Sequence, residues 1–437
     1  MNHKFELQCV GGRGEVISRR AWLKSLGLSA MAAAVPRAIA SAADTASAQA
    51  RAASGPGSSV VAKNPRWYGF NLLEYFSTDP DWMKYFPYKN DGMFVEDDFR
   101  WIRDWGFNWV RLPMDYRFWT DPQDFFKIGE KKIIPIDRAI HLGDKYGIHV
   151  NLCLHRAPGY CILDFLDEAL TGIHVTKEKT SVFTDAKTLD AFVYHWTYFA
   201  DRYTGISSDK LSFNLVNEPL LPPAEAVADL KKAGKTKAED IFSSEVMQRH
   251  AKDYVRVARA AIEGIRKHDS QRLVITDGLA GGTAVIPSLF DTGMLQSCHT
   301  YNPVELTHYQ CEWARGMLTG SEPVPTWPLK DSSGKVICDP ATLTRTFQPW
   351  GQLAAQGIPI HFGEMGCYKR TPPQIVLAWF NDTLSVLGGL HSGWALWNFR
   401  GPFGVLDTER PGTKYEPWHG HQLDRSLLDL LQQKMKV

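Results

Sequence analysis

From residue 64 onward, short runs of β-branched and aromatic residues recur along the chain, and most are followed by a longer stretch whose apolar positions fall three and four apart. The first pattern is that of a strand buried on both faces, the second that of a helix with one buried stripe. Strands are predicted at Trp67 to Leu72, Trp109 to Pro113, His149 to Leu154, Ser212 to Val216, Leu273 to Thr276, Gln296 to Tyr301, Ile360 to Gly363 and Gly393 to Trp397. Helices are predicted at Val95 to Trp105, Ile136 to Tyr146, Leu189 to Tyr203, Glu245 to Lys267, Leu343 to Gln356, Ile375 to Leu387 and Leu423 to Gln433. The first of these carries Val95, Phe99, Ile102 and Trp105 on one stripe and ends at Gly106, a residue suited to a helix stop. A fifth helical segment, around Val285 to Phe290, is short and poorly marked.

Eight such β/α units predict an α/β chain folded as a single (β/α)₈ TIM barrel with long βα loops. The usual barrel of roughly 250 residues leaves about a hundred for loop insertions. The alternation excludes a β-sandwich. A doubly wound open sheet is the competitor, but neither G-x-G-x-x-G nor a P-loop follows the first strand. A barrel places its chemistry at the carboxyl ends of its strands.

The residues before the barrel read differently. Ser18-Arg19-Arg20-Ala21-Trp22-Leu23-Lys24 precedes a weakly apolar run from Leu26 to Val35, then Arg37 and an Ala38-Ile39-Ala40 cleavage pattern. This resembles a twin-arginine export signal, the alternative being an amphipathic surface helix. The expected organisation is a signal peptide at 1–40, a flexible leader at 41–63 and the barrel at 64–437. The precursor is expected to meet the twin-arginine export machinery, and the mature chain to be periplasmic or secreted. Cys9 leaves with the signal. Of the other cysteines, Cys153, Cys298 and Cys367 fall in or beside strand-like segments as buried thiols, leaving Cys311–Cys338 as the candidate bridge. Lys+Arg number 49 against 48 Asp+Glu, which removes any reason to expect a nucleic-acid partner. No apolar run reaches the roughly 18 residues needed to cross a bilayer.

Two glutamates stand at strand ends, in Asn217-Glu218-Pro219 and in Phe362-Gly363-Glu364-Met365-Gly366. A carboxylate at the end of an apolar strand is costly unless paired or used. Two facing one pocket can divide the work of glycoside chemistry. One protonates a leaving oxygen, and the other, held ionised, attacks an anomeric carbon. The alternative is a pair of unrelated ion-pair glutamates. Other strand ends argue against it: Arg111 in Val110-Arg111-Leu112-Pro113, His155 in Leu154-His155-Arg156, His299 and Tyr301 in His299-Thr300-Tyr301, and Trp397 in Trp394-Ala395-Leu396-Trp397-Asn398.

In this ordered set the chain resembles glycoside hydrolase family 5, the retaining barrel glycosidases that include many cellulases. The resemblance runs from residue 64 to 435 and implies Glu218 as general acid/base and Glu364 as nucleophile. It implies supporting roles for Arg111 and Tyr301 beside Glu364, for Asn217 and His155 on the sugar, for His299 beside Glu218, and for Trp397 as a platform under a pyranose. Neither metal nor organic cofactor is expected, and the first strand lacks the His-x-His of metal-dependent barrel hydrolases.

The loops after the strands should set specificity. Glu74 follows the first strand, where some relatives use an acidic residue to grip a sugar hydroxyl, and a rim salt bridge is its alternative. Tyr116 and Trp119 are candidate walls after the second strand. The long insertion from Asn302 to Pro340 contains His308, Trp313 and Trp327, and either tryptophan is a candidate platform beyond the cleavage point. A second insertion, Leu220 to Asp240, reads as a solvated excursion. The expected activity is double-displacement hydrolysis of a neutral β-glucan, with β-1,4 linkages first. β-Mannanase, exo-β-1,3-glucanase or β-glucosidase action and a catalytically silent carbohydrate-binding barrel remain as alternatives.

Overall fold

A computed structural model of the chain describes residues 65–86, 93–121, 124–219, 245–315, 318 and 320–436. The expected signal, the leader and the insertion from Leu220 to Asp240 lie outside the described residues.

All eight predicted strand segments are strands, and they are parallel neighbours in sequence order. They are β1 (Tyr68–Asn71), β2 (Trp109–Asp115), β3 (His149–Ala157), β4 (Leu211–Asn214), β5 (Leu273–Asp277), β6 (Leu295–Thr300), β7 (Ile360–Met365) and β8 (Trp394–Leu396). β1 pairs with both β2 and β8, and β2 pairs with β3, so the sheet closes on itself. The barrel is therefore a (β/α)₈ barrel. Its outer layer holds α1 (Glu96–Asp104), α2 (Ile134–Tyr146), α3 (Ala186–Arg202), α4 (Glu245–His268), α5 (Pro340–Ala355), α6 (Pro373–Gly389) and α7 (Arg425–Lys434). Between β5 and β6 a helical turn at Leu279–Gly282 and a 3-10 segment at Pro287–Thr292 replace a long helix. Ala280 and Gly281 there adopt left-handed backbone, which stops helix propagation, and Pro287 lacks the N–H that would continue one.

Strand ends differ from the sequence pattern where chemistry interrupts it. β5 runs one residue beyond the predicted Thr276 to Asp277, and β8 stops at Leu396, leaving Trp397 just past its end. Both ends open onto the same rim.

Two apolar clusters hold the fold. The larger joins the strands' outward side chains to the helices and includes Phe70, Val110, Leu152, Phe213, Trp196 and Trp379. The smaller caps the barrel and joins Phe76, Trp82, Phe86, Leu163, Trp397 and Phe403, with Tyr301 and Trp313 packed against it. Cys311 belongs to the cap, whereas Cys338 belongs to the larger cluster at the foot of a hairpin formed by Leu329–Lys330 and Val336–Cys338. Both are free thiols, as are Cys153, Cys161, Cys298 and Cys367, which corrects the expected Cys311–Cys338 bridge. The two sulfurs are buried in different packing environments, and nothing brings them together.

Strand β1 approaches β2 closely at Gly69, where an added Cβ would sit 1.7 Å from the Trp109 carbonyl oxygen. The neighbour there is backbone, which cannot swing aside. Gly69→Ala is therefore expected to destabilise the barrel by about 3 kcal/mol or more in urea unfolding; a loss under about 1 kcal/mol would show that the β1–β2 seam opens at little cost.

Candidate active site

The polar core of the site starts at Arg111, which points from β2 into the barrel and is 1% exposed. Its Nη1 donates to Glu364 Oε1 and to Asn71 Oδ1 (3.1 Å), and its Nε to Asn214 Oδ1 (2.9 Å). Its Nη2 reaches Asn217 Oδ1 at 2.8 Å, Asp277 Oδ2 at 3.2 Å and Cys153 Sγ at 3.0 Å. Burial opposes the guanidinium charge, but the surrounding Glu364 and Asp277 outweigh it and hold the group above its ordinary pKa. Every donor direction of the fork is thus used, and its two carboxylates come from strands on the far side of the barrel.

Glu364 takes a second donor, the Tyr301 hydroxyl at 3.1 Å. Burial pushes the Glu364 carboxyl above its ordinary value, and the cations His299 and Arg111 pull it back only in part. Burial and the neighbouring Glu364 carboxylate raise the Tyr301 phenol, which keeps it a donor. Glu218 is held differently. Its Oε1 lies 2.9 Å from His299 Nδ1, its backbone N–H donates to Asp277 Oδ2 at 3.0 Å, and its carbonyl accepts from the Tyr160 hydroxyl at 2.7 Å. The residue is in left-handed backbone at φ 47. One carboxyl oxygen of Glu218, one of Glu364 and a ring nitrogen of His299 all lie within 4.8 Å of one another.

These groups open into a cavity of about 650 Å³. Its walls include His155, Asn217, Glu218, His299, Tyr301 and Glu364, with Trp397, His308 and Trp313 toward the rim. Trp397 stacks on His155 at 5.4 Å between ring centres and meets Phe76 edge-on. Burial, reinforced by Arg111, holds His155 well below its usual pKa, and burial lowers His308 to about 4, so both rings are neutral. His308 Nδ1 pairs with Thr307 Oγ1 at 3.1 Å. Arg111 lies beneath the cavity floor and acts on it through its partners.

The structure places four further candidates elsewhere. Trp327 donates from Nε1 to Asp382 on α6 at 2.8 Å and packs on the main core, so it is no wall of the cavity. Trp119 is buried in that core, where His195 Nδ1 on α3 gives its indole N–H a buried acceptor. Tyr116 is also buried and reaches the site only indirectly, by donating to Glu178, which does line the cavity. Glu74 lines a separate cavity of about 380 Å³ that shares Phe86 with the first. It lies 4.0 Å from Arg400, which itself pairs with Asp98.

Sequence reasoning passed over Asp277, Asn214 and Asn71. All three are buried strand-end polar residues bonded to Arg111. Asp277 carried the same signal that singled out the two glutamates, a carboxylate closing an apolar strand, but the strand was predicted one residue too short. Asn214 and Asn71 look like ordinary strand residues until a buried cation is known to lie between them.

Among the described residues, one His/Cys/Asp/Glu group has metal-ligand spacing, Glu218 with His299 and Glu364. His299 has carboxylates at both ring nitrogens, Glu218 at Nδ1 and Asp277 at 3.2 Å from Nε2. Burial opposes its charge, yet Asp277 and Glu364 raise its pKa to about 10. A doubly protonated imidazole has no lone pair to give a metal.

Comparison with known proteins identifies the family. The family model for cellulase (glycosyl hydrolase family 5) matches residues 53–401. Endoglucanase C of Acetivibrio thermocellus is 22% identical over 331 residues, covering 71% of this chain and 85% of its own. A solved structure described as a glycoside hydrolase is 34% identical at a TM-score of 0.68, over 85% of this chain and 99% of the other. Thermotoga maritima Cel5A, solved with cellobiose, superposes at a TM-score of 0.58 with 19% identity over 84% and 96% of the two chains, a likeness of fold. The chain belongs to glycosyl hydrolase family 5 and is a glycoside hydrolase.

Proposed function

We propose that the chain hydrolyses β-1,4-glucan by double displacement with retention at the anomeric carbon. The observation that carries this reading is the pairing of two differently held carboxyls whose oxygens approach within 4.8 Å. A gap that short suits direct attack; inverting enzymes need about 6.5–9.5 Å to seat a water. Glu364, oriented by Arg111 and Tyr301, forms the ester bond to the anomeric carbon as the glycosidic C–O bond breaks. Glu218 gives its proton to the departing oxygen. Glu218 then takes a proton from water, whose oxygen attacks the same carbon, and Glu364 leaves as a carboxylate.

The substrate contacts follow from what the site leaves unfilled. Asn217 Oδ1 is taken by Arg111, but its buried Nδ2 has no partner in the protein. An amide donor in that state at the cavity wall suits a sugar 2-hydroxyl, whose hydrogen bond strengthens as positive charge develops on the ring. Trp397 and Trp313 give the cavity flat apolar wall, which fits a neutral pyranose chain. Endo-acting cleavage is supported by the endoglucanase relative, and the twin-arginine pattern supports export of the precursor to the periplasm or beyond.

A panel of carboxymethyl-cellulose, β-mannan, β-1,3-glucan and aryl β-glycosides with reducing-sugar detection tests the substrate. Cleavage of the cellulose derivative and an initial β-configured product by NMR are expected; activity on mannan alone, or an α product, would overturn the assignment. Glu364→Ala is expected to lower kcat by about 10⁴-fold or more with the fold intact by circular dichroism; substantial residual turnover would remove Glu364 as nucleophile. Because burial raises the Glu364 carboxyl above its ordinary 4.5, activity should fall as pH drops through that raised value. Arg111→Gln removes one of the two opposing cations and should move the acid limb of kcat/KM to still higher pH. An unmoved or lowered limb would show that Arg111 does not stabilise the ionised nucleophile.

A further inference from the structure

Asp277 closes β5, and none of its side chain is exposed. Its carboxylate faces donors from four neighbouring segments. Oδ1 accepts from Asn214 Nδ2 at 3.0 Å, and Oδ2 accepts from the Glu218 backbone N–H at 3.0 Å and from Arg111 Nη2 at 3.2 Å. The same Oδ2 lies 3.2 Å from His299 Nε2, off the hydrogen-bond line, so this contact is chiefly charge on charge.

Three of these features converge on Glu218. Left-handed backbone at a residue with a Cβ is strained and persists where its surroundings fix it. Here the Asp277 carboxylate holds the Glu218 N–H and the Tyr160 hydroxyl holds its carbonyl. Beyond the main chain, the imidazole that touches Glu218 Oε1 is the one whose opposite edge faces Asp277. Gly282 packs that ring in place, since an added Cβ there would sit 2.7 Å from the His299 Cβ.

We propose that Asp277 is the positioning residue of the acid/base. It fixes Glu218 through the main chain, and it pairs with the His299 ring that occupies Glu218 Oε1 and so leaves Oε2 to carry the transferred proton. The inference rests on the reading of Glu218 as acid/base. The groups facing His299 support the pairing: Asp277, Glu218 and Glu364 (3.6 Å from Nδ1) are the carboxyls around it. Arg111 is the permanent cation nearby, and His155 and His361 are kept neutral by burial, which lowers His361 to about 4. Burial opposes charge on Asp277 too, but His299 and Arg111 override it and hold the carboxyl below its usual range. Of the residues on Asp277, Arg111 keeps a close second carboxylate in Glu364, whereas the Glu218 N–H is bonded to Asp277 and His299 has beyond it only Glu218 itself and the more distant Glu364. Loss of the Asp277 charge should therefore fall on proton transfer more than on nucleophilic attack.

The test compares two substrates in Asp277→Asn, an amide that keeps the shape and an acceptor. Attack on 2,4-dinitrophenyl β-cellobioside needs no acid, because the phenolate leaves unaided; cellotetraose needs the proton. The expected result is a kcat/KM for cellotetraose reduced on the order of 100-fold, with that for the dinitrophenyl glycoside changed by less than about 5-fold. Equal losses on both substrates would overturn the proposal, because they would mark a general structural or nucleophile-side role. A second readout uses the unaltered protein and needs neither turnover nor a folded variant. Nitrogen-15 NMR should find His299 doubly protonated at neutral pH and losing its proton only near pH 10. A neutral His299 at pH 7 would overturn the proposal. If the unaltered protein cleaved neither substrate, the proposed function would fail, while the NMR experiment would still decide the Asp277–His299 pairing.

Discussion

A guanidinium buried near the axis of a closed barrel sets the terms for everything around it. Removing such a cation from water costs several kcal/mol unless hydrogen bonds and counter-charge replace what water supplied. The replacement cannot come from one neighbour. Asn71 on β1, Cys153 on β3, Asn214 on β4, Asp277 on β5 and Glu364 on β7 each contribute an acceptor to Arg111 on β2, so six strands meet at one side chain. Three of these elements are far apart in sequence, and the barrel's closure is what brings their ends within reach. Fold and site are thus not separable layers: the polar floor that orders Glu364 also ties the upper ends of the strands together.

Charge accounting in this floor distinguishes the two glutamates without reference to relatives. Arg111 and His299 are cations, and Asp277 and Glu364 are the carboxylates nearest to them. That set is neutral by itself. Glu218 is the remaining carboxyl, lies at the cavity wall with its side chain 17% exposed, and carries no guanidinium. Glu364, 4% exposed and hydrogen-bonded to Arg111, has its charge balanced within that set.

How much of this is legible in the chain depends on whether the signal is local. The barrel is legible because strands buried on both faces are continuous apolar runs and the helices between them show a regular stripe; the eight strand segments need no long-range information. Arg111, Glu218, Glu364, His299 and Tyr301 stand out because a polar residue breaks such a run at its end. Asp277 is the instructive miss, since Thr276 before it already reads as a strand terminus and one residue decides whether a carboxylate counts as rim or loop. Trp119 and Trp327 mislead for the opposite reason. An indole in a loop has the same local signature whether it faces a cavity or the core, and only the path of the loop decides. For Trp327 that path ends at Asp382 on an outer helix, and for Trp119 at His195 on another. The cysteine pair Cys311 and Cys338 fails similarly, because proximity in sequence says nothing about which of two apolar clusters each sulfur joins.

The aromatic residues divide along the same line. With 15 Trp, 15 Tyr and 22 Phe the chain has more flat apolar surface than a barrel core needs at its centre, where β-branched and small side chains pack the strands. The cap cluster absorbs part of that surplus. Trp82, Phe86, Trp313, Trp397 and Phe403 pack in edge-to-face and tilted pairs beside the cavity, and all five form wall as well as core. Edge-to-face packing fixes ring orientation more firmly than aliphatic contacts do. A ring held that way can present a face to a pyranose without losing side-chain freedom on binding, and it excludes water from the carboxyl pair beneath it. Water exclusion in turn strengthens the Arg111 and His299 electrostatics on which the floor depends, so the apolar cap and the charged floor act as one device.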